Sequence, residues 1–325
     1  MSTAPFVTLV QDTLQEVEAL LARQADGYHP DLQAALHHLL AAGGKRIRPT
    51  VALLMGRLLG APHRRLVILA AALEMLHTAT LVHDDLIDGA LLRRGMPTLN
   101  AQWSPAATVL TGDFLFARAA LLATNTESLH VMRLFTQALA VIVDGEIRQL
   151  FEGGAYTTAA QYEHRIYAKT ASMFELATAA AATLAGAAPD SPTYEQARRY
   201  GYHIGMAFQI VDDILDYQGD SRQVGKPVGN DLRNGLVTLP ALIYMQHQGQ
   251  QDPDLQAVLQ NGGLFDAQRV ERLVTRIRES GALQAAAQAA RQHIDAALQA
   301  LQALPPGPER DALAALAHYV VDRDF

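Results

Sequence analysis

The motif Asp-Asp-x-x-Asp occurs twice in this chain, each time where a long apolar stretch with helical periodicity ends. The two copies consist of Asp84, Asp85 and Asp88 and of Asp212, Asp213 and Asp216. On a helix, the outer two aspartates lie one turn apart on one face, and the middle one lies about 100° round from the first. One such cluster is usually a solvated helix face. Two copies on helices that ought to be buried favour a divalent cation, and oxygen ligands without His or Cys suit Mg²⁺.

Helical periodicity dominates the rest of the chain. Ala and Leu are abundant, aromatic residues make up 6% of the chain, and alternation of β-branched residues is scarce, which favours helices over strands. Helices are predicted near residues 8–25, 31–42, 48–59, 63–88, 106–124, 127–152, 158–187 and 191–217, with three or four shorter ones between 254 and 319. No change in composition indicates a linker. We therefore predict one all-α domain over residues 1–325, a bundle around long central helices.

Composition excludes several classes of function. The net charge is −7 and the chain has no Lys/Arg-rich run of the type that binds nucleic acid, so a nucleic-acid partner is not expected. The chain has no cysteine, which excludes disulfides and thiolate metal sites and fits a reducing compartment. Residues 1–15 lack the features of a signal peptide, and no run approaches the roughly 18 uncharged apolar residues of a membrane span. A cytoplasmic protein without a transmembrane segment is expected.

Cations accompany both acidic motifs. The segment Gly43-Gly44-Lys45-Arg46-Ile47-Arg48-Pro49 joins two glycines and three cations to a helix start, which are groups that approach and attract an anion. Taken alone, it would be a helix C-cap followed by surface basic residues. Arg93 and Arg94 follow the first acidic motif, Lys169 lies within a predicted helix, and Lys226 follows the second motif in a Gly-flanked loop. Carboxylates, Mg²⁺ and such cations together hold a diphosphate and stabilise it as a leaving group.

A second kind of metal site has to be weighed against this one. Glu74 with His77 and Glu127 with His130 both form the E-x-x-H spacing of di-iron helical bundles. Such bundles also need two further inward-facing glutamates, for which Glu146 and Glu175 are candidates. The polar residues before Glu127 favour an exposed helix start at that point. A di-iron site would also leave both aspartate motifs unexplained, so this alternative is the weaker one.

Small side chains precede the first aspartate motif on its helix. Going back from Asp84 one meets Thr80 and Ala79, and then Leu76. Each helical turn rises 5.4 Å, roughly the length of one extended isoprene unit. These three residues are candidates for the wall of an apolar pocket behind the metal site, although each could equally be an ordinary packing residue.

Taken together, the motifs resemble those of the trans-isoprenyl diphosphate synthases, the polyprenyl synthetase family, over essentially the whole chain. The matching segments are GGKRIRP at 43–49, LHTATLVHDDLID at 76–88, RRGMPT at 93–98, GDFLFARA at 112–119, GEIRQ at 145–149, KTASMF at 169–174, FQIVDDILDY at 208–217 and GKPVGNDLRNGLVTLP at 225–240. The two aspartate motifs in this order and company make the resemblance specific.

The resemblance implies a fold, a reaction and a set of site residues. The fold would be a bundle of about ten or more helices around a deep central cavity, and the enzyme would condense isopentenyl diphosphate head-to-tail onto an allylic diphosphate, acting as a homodimer. The six aspartates would face each other across the cavity mouth and hold three Mg²⁺ on the allylic diphosphate. Implied contacts to that diphosphate are Arg93, Lys169 and Lys226. Implied contacts to the diphosphate of isopentenyl diphosphate are Gly44, Lys45, Arg48, His77 and Arg94. Thr170 and Gln209 would place dipoles near the allylic cation.

Two details bear on the product. Many relatives carry Lys where this chain has Leu236, which removes one cation from the mouth. Short-chain members typically place an aromatic residue at the position of Ala79 or Thr80, or insert two residues in the first motif, and this chain does neither. The expectation is a long-chain all-trans product of about six to ten isoprene units, octaprenyl at the centre, of the kind used for quinone side chains. Such an apolar product would bring the enzyme into transient contact with a membrane surface on release.

Alternatives remain within and beside this class. A geranylgeranyl or farnesyl diphosphate synthase would make a shorter product. A subunit of a heteromeric synthase would need a partner chain, although such subunits tend to have degraded aspartate motifs. A terpene cyclase usually carries a different second metal motif from the one at 212–216.

Overall fold

The computed structural model of this chain describes residues 5–152, 158–218, 228–247, 252–260 and 267–322. These residues are helical almost throughout, which confirms the all-α prediction. The helices up to residue 152 are α1 (Pro5–Thr8), α2 (Gln11–Ala22), α3 (Pro30–Ala41), α4 (Ile47–Leu59), α5 (His63–Ile87), α6 (Leu99–Gln102), α7 (Pro105–Thr124) and α8 (Leu129–Glu152). The later ones are α9 (Ala159–Ile166), α10 (Ser172–Leu184), α11 (Pro192–Gln218), α12 (Asn230–Arg233), α13 (Leu239–His247), α14 (Pro253–Gln260), α15 (Ala267–Glu279), α16 (Ala282–Gln302) and α17 (Pro308–Val321).

A short hairpin follows α5. Strands β1 (Leu92–Arg93) and β2 (Met96–Pro97) pair antiparallel, with Leu92 opposite Pro97 and Arg93 opposite Met96. The two turn residues, Arg94 and Gly95, both have positive φ, 52° and 77°. Positive φ at both positions is typical of the tight turns that close two-residue hairpins.

The chain divides into two compact units. The first comprises Met1–Gln137, Leu176–Arg198 and Ala303–Leu313, and the second comprises Ala138–Glu175, Arg199–Gln302 and Ala314–Phe325. Helices α8, α10, α11 and α17 therefore contribute residues to both. The single domain over residues 1–325 stays a prediction.

Helix α5 is the central helix of the first unit. It is apolar on nearly all sides and buried along most of its length, the pattern of a helix without a solvent face. Helices α4 and α7 pack along it. Both approach closely through glycine, because a Cβ added to Gly56 would clash with Leu66 and one added to Gly112 would clash with His83. The contact between Gly112 and His83 holds the last turn of α5, which carries Asp84 and Asp85, against α7, whereas Gly56 and Leu66 hold its first turn against α4.

In the second unit, a π-helical segment, Tyr167–Ala171, lies between α9 and α10. The sequence predicted an uninterrupted helix over 158–187, and this prediction is wrong at the π-helical segment. A single π-helical turn widens the helix locally and is frequent at functional sites. The segment contains Lys169 and Thr170, two of the predicted site residues.

Glycines of two other helices press against this segment. A Cβ added to Gly145 in α8 would lie 2.5 Å from the Cβ of Ala168, and one added to Gly205 in α11 would clash with Ala171. These contacts join residues that are far apart in sequence. The apolar pattern of 158–187 therefore could not reveal the π turn.

Most helix starts and ends follow the predicted ones within one or two residues. The larger differences are at α2, which spans Gln11–Ala22 where 8–25 was predicted, and at α10, which ends at Leu184 where the prediction ran to 187. Helix α8 was expected to begin near 127, but it begins at Leu129. Glu127 has φ +57°, outside the helical range. The polar run before it forms a turn, as the sequence indicated for the E-x-x-H segment at that position.

Two helices among the described residues, α5 and α7, are long and apolar enough to cross a membrane by length and composition alone. For α5, 72% of the apolar window is buried, and for α7 39% is. A core helix of a folded protein meets the same criterion, and α5 is such a helix. Helix α7 packs along α5 and keeps an exposed apolar face.

Candidate active site

The first aspartate motif lies at the C-terminal end of α5. Asp85 is buried, and its Oδ1 accepts a hydrogen bond of 2.8 Å from Nε of Arg93 on β1. Asp84 is half-buried, and Asp88 is exposed at the C-cap, where its backbone N–H bonds the Asp84 carbonyl at 2.8 Å. A helix C-terminus carries partial negative charge, which disfavours carboxylates there. The motif therefore gains from any cation that binds it.

The hairpin brings a second arginine to the glycine segment. The guanidinium of Arg94 donates a hydrogen bond to the carbonyl of Gly43. It lies so close to Gly44 that an added Cβ would be 2.8 Å from Arg94 Nη1. Gly44 and Lys45 are both exposed at this point. The structure thus brings together in the first unit the glycine segment and the arginine pair that the sequence singled out.

The start of α4 meets α5 at His77. Nη1 of Arg48 lies 3.3 Å from Nε2 of His77. Burial lowers the pKa of His77 well below its ordinary value, and the nearby guanidiniums of Arg48 and Arg94 lower it further. His77 is therefore neutral at physiological pH and presents its ring nitrogens as hydrogen-bonding groups, not as a cation.

In the second unit, Asp213 is the centre of a buried hydrogen-bond network. Its Oδ2 accepts a bond of 2.8 Å from the hydroxyl of Tyr162, and its Oδ1 accepts one of 2.8 Å from Nε2 of Gln209. Gln209 in turn accepts a bond of 2.6 Å from the Thr170 hydroxyl. Burial raises the pKa of Asp213 to about 7, against the lowering effect of these hydrogen bonds. The network fixes Gln209 and Thr170 relative to the second aspartate motif.

Asp216 has a different environment. Its two carboxylate oxygens accept the backbone N–H groups of Asn230 at 3.1 Å and Asp231 at 3.0 Å, at the start of α12. Asp216 therefore holds the start of α12 against the end of α11. Burial raises the pKa of Asp231, and the charge of Asp216 raises it further. Asp212, the first aspartate of the motif, is half-buried.

Lys169 is the remaining predicted cation that the structure describes. Its Nζ lies 2.9 Å from Oε1 of Glu146 in α8. The sequence analysis named Glu146 only as a candidate ligand of the di-iron alternative, and it assigned no role to Tyr162, the partner of Asp213. Glu146 lies within the motif GEIRQ, which was a signal, whereas Tyr162 gave none. The prediction for Lys226 falls outside the described residues.

Of the three residues predicted to line the pocket, one is accessible. Leu76 and Ala79 have 0% of their surface exposed, whereas Thr80 is half-buried and bonds its hydroxyl to the His77 carbonyl at 2.8 Å. Thr80 precedes Asp84 by one turn and lies on the same face of α5. Of the three predicted pocket residues, Thr80 is therefore the one whose side chain is accessible next to the first aspartate motif.

The structure does not support the di-iron alternative. Oε1 of Glu74 pairs with Arg46 at 2.5 Å, and Glu127, which lies outside any helix, pairs with Arg65 at 2.8 Å. Within the described parts of the chain, no three His, Asp or Glu side chains are grouped so as to hold a metal ion, and this holds for the aspartate motifs as well as for these glutamates and histidines. The glutamates of the two E-x-x-H segments are therefore each paired with a different arginine, and the shared spacing does not indicate a common metal site.

The aspartate motifs suit Mg²⁺ by their chemistry. All six candidate ligands are carboxylates, which hard cations prefer. Asp85, Asp213 and Asp216 already accept hydrogen bonds, but a carboxylate offers about four lone-pair sites, so these contacts do not use up its capacity. By its donor chemistry, each motif suits Mg²⁺, whose coordination water or a phosphorylated ligand would complete.

Comparison with known proteins shows the family of this chain. The family model described as "Polyprenyl synthetase" matches residues 29–277. The octaprenyl diphosphate synthase of Escherichia coli is 40% identical over 291 residues, which cover 89% of this chain and 88% of that protein. Component 2 of the heptaprenyl diphosphate synthase of Bacillus subtilis is 34% identical, covering 98% and 90%. A crystal structure of a polyprenyl synthase from Caulobacter crescentus, complexed with calcium and isoprenyl diphosphate, superposes with a TM-score of 0.92 at 37% identity, covering 99% and 98%.

Proposed function

Because the chain belongs to the polyprenyl synthetase family, we propose that its product is a chain of eight isoprene units. The chain is a prenyltransferase, a trans-polyprenyl diphosphate synthase that condenses isopentenyl diphosphate head-to-tail onto an allylic diphosphate to make a long-chain product. The observation that supports the length is the accessible face of α5, where Thr80 presents a small side chain one turn behind Asp84. An aromatic ring there would close the path of a growing chain.

The chemistry begins with loss of diphosphate from the allylic substrate. Arg93 and Lys169 would bind this diphosphate and stabilise the charge that develops as the C–O bond breaks. In the structure, each of these cations is paired with a carboxylate, Asp85 and Glu146 respectively. Substrate binding would therefore require each cation to share or exchange its partner.

Bond formation follows at the allylic carbon. The double bond of isopentenyl diphosphate attacks that carbon, a new C–C bond forms, and a proton is lost. None of the assigned side chains is an evident base, so the departed diphosphate would accept the proton. Thr170 and Gln209, held by Asp213, would direct their dipoles at the transient positive charge, and apolar walls would exclude water.

The aspartates of both motifs would hold Mg²⁺, with three ions as the expected number. When bound, Mg²⁺ supplies neutralisation of the diphosphate and so makes it a better leaving group. The C. crescentus enzyme was crystallised with calcium and isoprenyl diphosphate, which is consistent with a divalent-cation site. The acidic residues need such a cation, because six carboxylates would otherwise repel an anionic substrate.

We propose a homodimer in the cytoplasm. Helix α7 exposes Leu110 by 66% and Leu121 by 44%, and helix α8 exposes Leu150 by 58% and Phe151 by 84%. Apolar faces of this kind are typical of subunit interfaces. A chain without cysteine is compatible with a reducing compartment.

A second candidate is one subunit of a heteromeric synthase, which the similarity to component 2 of the B. subtilis enzyme favours. The experiment is to incubate the purified chain alone with Mg²⁺, labelled isopentenyl diphosphate and farnesyl diphosphate. Label incorporated into an apolar product supports a self-sufficient enzyme. If label enters product only after a second chain is added, the heteromeric assignment is correct.

A further inference from the structure

Arg46 has a backbone conformation that is unusual for a side chain of its size. Its φ and ψ are 47° and 36°, in the left-handed region, and it occupies the N-cap position of α4 without a side-chain cap bond. Residues other than Gly, Asn and Asp rarely adopt this conformation, so surrounding contacts have to maintain it. Arg46 lies directly between Lys45 and Ile47, within the glycine and cation segment.

The contacts that maintain it come from the interior of the first unit. Nη1 of Arg46 pairs with Oε1 of Glu74 at 2.5 Å, and the two side chains are only 13% and 7% exposed. Its Nε lies 3.4 Å from Oε1 of Glu18, and its carbonyl accepts a bond of 2.8 Å from the Thr50 hydroxyl. Both the backbone and the side chain of Arg46 are therefore tied to fixed helices.

Glu74 lies on α5, one turn before His77. The pair Arg46–Glu74 and the contact Arg48–His77 thus join the start of α4 to two consecutive turns of α5. On the other side, Arg94 donates to the carbonyl of Gly43. The short segment between Gly43 and Arg46 is held at both ends.

We propose that Arg46 and Glu74 are positioning residues that hold the Gly43–Lys45 backbone in the shape that receives the diphosphate of isopentenyl diphosphate. The inference rests on the proposed function of this segment. Arg46 itself is a poor candidate for a substrate ligand, because its guanidinium is committed to a buried carboxylate, whereas Lys45 is exposed. Glu74 without its partner would be a buried negative charge close to an anion site.

The test compares the Michaelis constants of the two substrates. Arg46→Gln and Glu74→Gln should each raise KM for isopentenyl diphosphate by about tenfold or more, with a smaller change in kcat and an unchanged KM for farnesyl diphosphate. A general loss of structure would affect both substrates. Glu127→Gln is the control. The backbone of Glu127 also has a positive φ, and its side chain also pairs with an arginine, Arg65, but Glu127 lies outside the segment Gly43–Arg46 in sequence. This variant should leave both constants unchanged.

A further variant separates positioning from folding. Arg46→Met combined with Glu74→Leu leaves no unpaired buried charge, so it should fold even if the single variants do not, and its KM for isopentenyl diphosphate should stay raised. An unchanged KM in this double variant, or an equal rise for both substrates, would overturn the inference. If the wild-type chain shows no turnover, the proposed function fails instead. In that case, the affinity for isopentenyl diphosphate is measured by calorimetry for the double variant and for Glu127→Gln. The inference requires that the double variant binds isopentenyl diphosphate more weakly.

Discussion

At the scale of single residues, the two aspartate motifs differ in ways that their identical spacing conceals. Asp85 is bound by an arginine, Asp213 by a tyrosine and a glutamine, and Asp216 by two backbone N–H groups. The sequence nominated the aspartates because Asp-Asp-x-x-Asp is a local pattern, and their roles stay a prediction. It could not predict Tyr162 as the partner of Asp213 or Glu146 as the partner of Lys169, since these contacts depend on how distant helices pack.

The role of Asp84 can be tested directly. Asp84→Ala should lower turnover by orders of magnitude through weaker metal binding, with little change in melting temperature, because this half-buried carboxylate lies at an unfavourable helix C-terminus. Asp190→Ala, which removes an exposed loop carboxylate of the same unit, is the control and should behave like the wild type. Retained activity in Asp84→Ala would show that the site has been misassigned.

A histidine pair outside the site predicts a pH dependence of stability. Nδ1 of His203 lies 2.9 Å from Nδ1 of His293, and burial lowers the pKa of His203 to about 4, with further lowering by His293 and Arg199. Burial also lowers the pKa of His293, whereas Glu163 opposes this shift. A depressed pKa means that the stabilising contribution is present above the unfolded pKa of about 6.5 and is lost as pH falls towards the folded value.

The measurement is the melting temperature at pH 7 and pH 5. Wild type should lose more stability over this interval than His203→Phe, which keeps a ring but cannot be protonated. His318→Asn, a change at an exposed histidine, should keep the wild-type difference. Equal losses in wild type and His203→Phe would mean that this pair does not control acid stability.

At the scale of elements, α5 was the most predictable part of the fold. Its bounds, His63–Ile87, agree with the predicted 63–88 because its apolar run is long and flanked by proline and glycine. The π turn at Tyr167–Ala171 was not predictable, because it depends on the glycines of α8 and α11. Regular elements therefore followed from local sequence, whereas the irregular one that carries Lys169 required tertiary contacts.

The face of α5 behind Asp84 should set product length. Thr80→Phe should shorten the product by several isoprene units, because an aromatic ring one turn behind the motif would block the path of the chain. Thr80→Val, which keeps the side-chain size, is the matched control and should leave the product unchanged. Ala79 is the other position where short-chain members typically carry an aromatic residue, but it is fully buried, so overpacking of the core would accompany Ala79→Phe. Product analysis that finds full-length chains with Thr80→Phe would exclude this face from the channel.

At the scale of the whole molecule, α7 and α8 expose apolar side chains that a second copy of the chain would bury. Leu110→Glu should convert the expected dimer to monomers, measured by light scattering, because a charge would be buried at the interface. Leu9→Glu, at an exposed leucine in the turn between α1 and α2, should remain dimeric. A dimer that survives Leu110→Glu would place the interface elsewhere.

The central claim is that the enzyme makes a long chain, and chromatography of its product tests this most directly. The purified protein is incubated with Mg²⁺, farnesyl diphosphate and excess labelled isopentenyl diphosphate, and the dephosphorylated products are separated by length. The account predicts a distribution that ends at about eight isoprene units, since α5 offers no aromatic stop behind Asp84. Products that stop at geranylgeranyl or farnesyl length would contradict it.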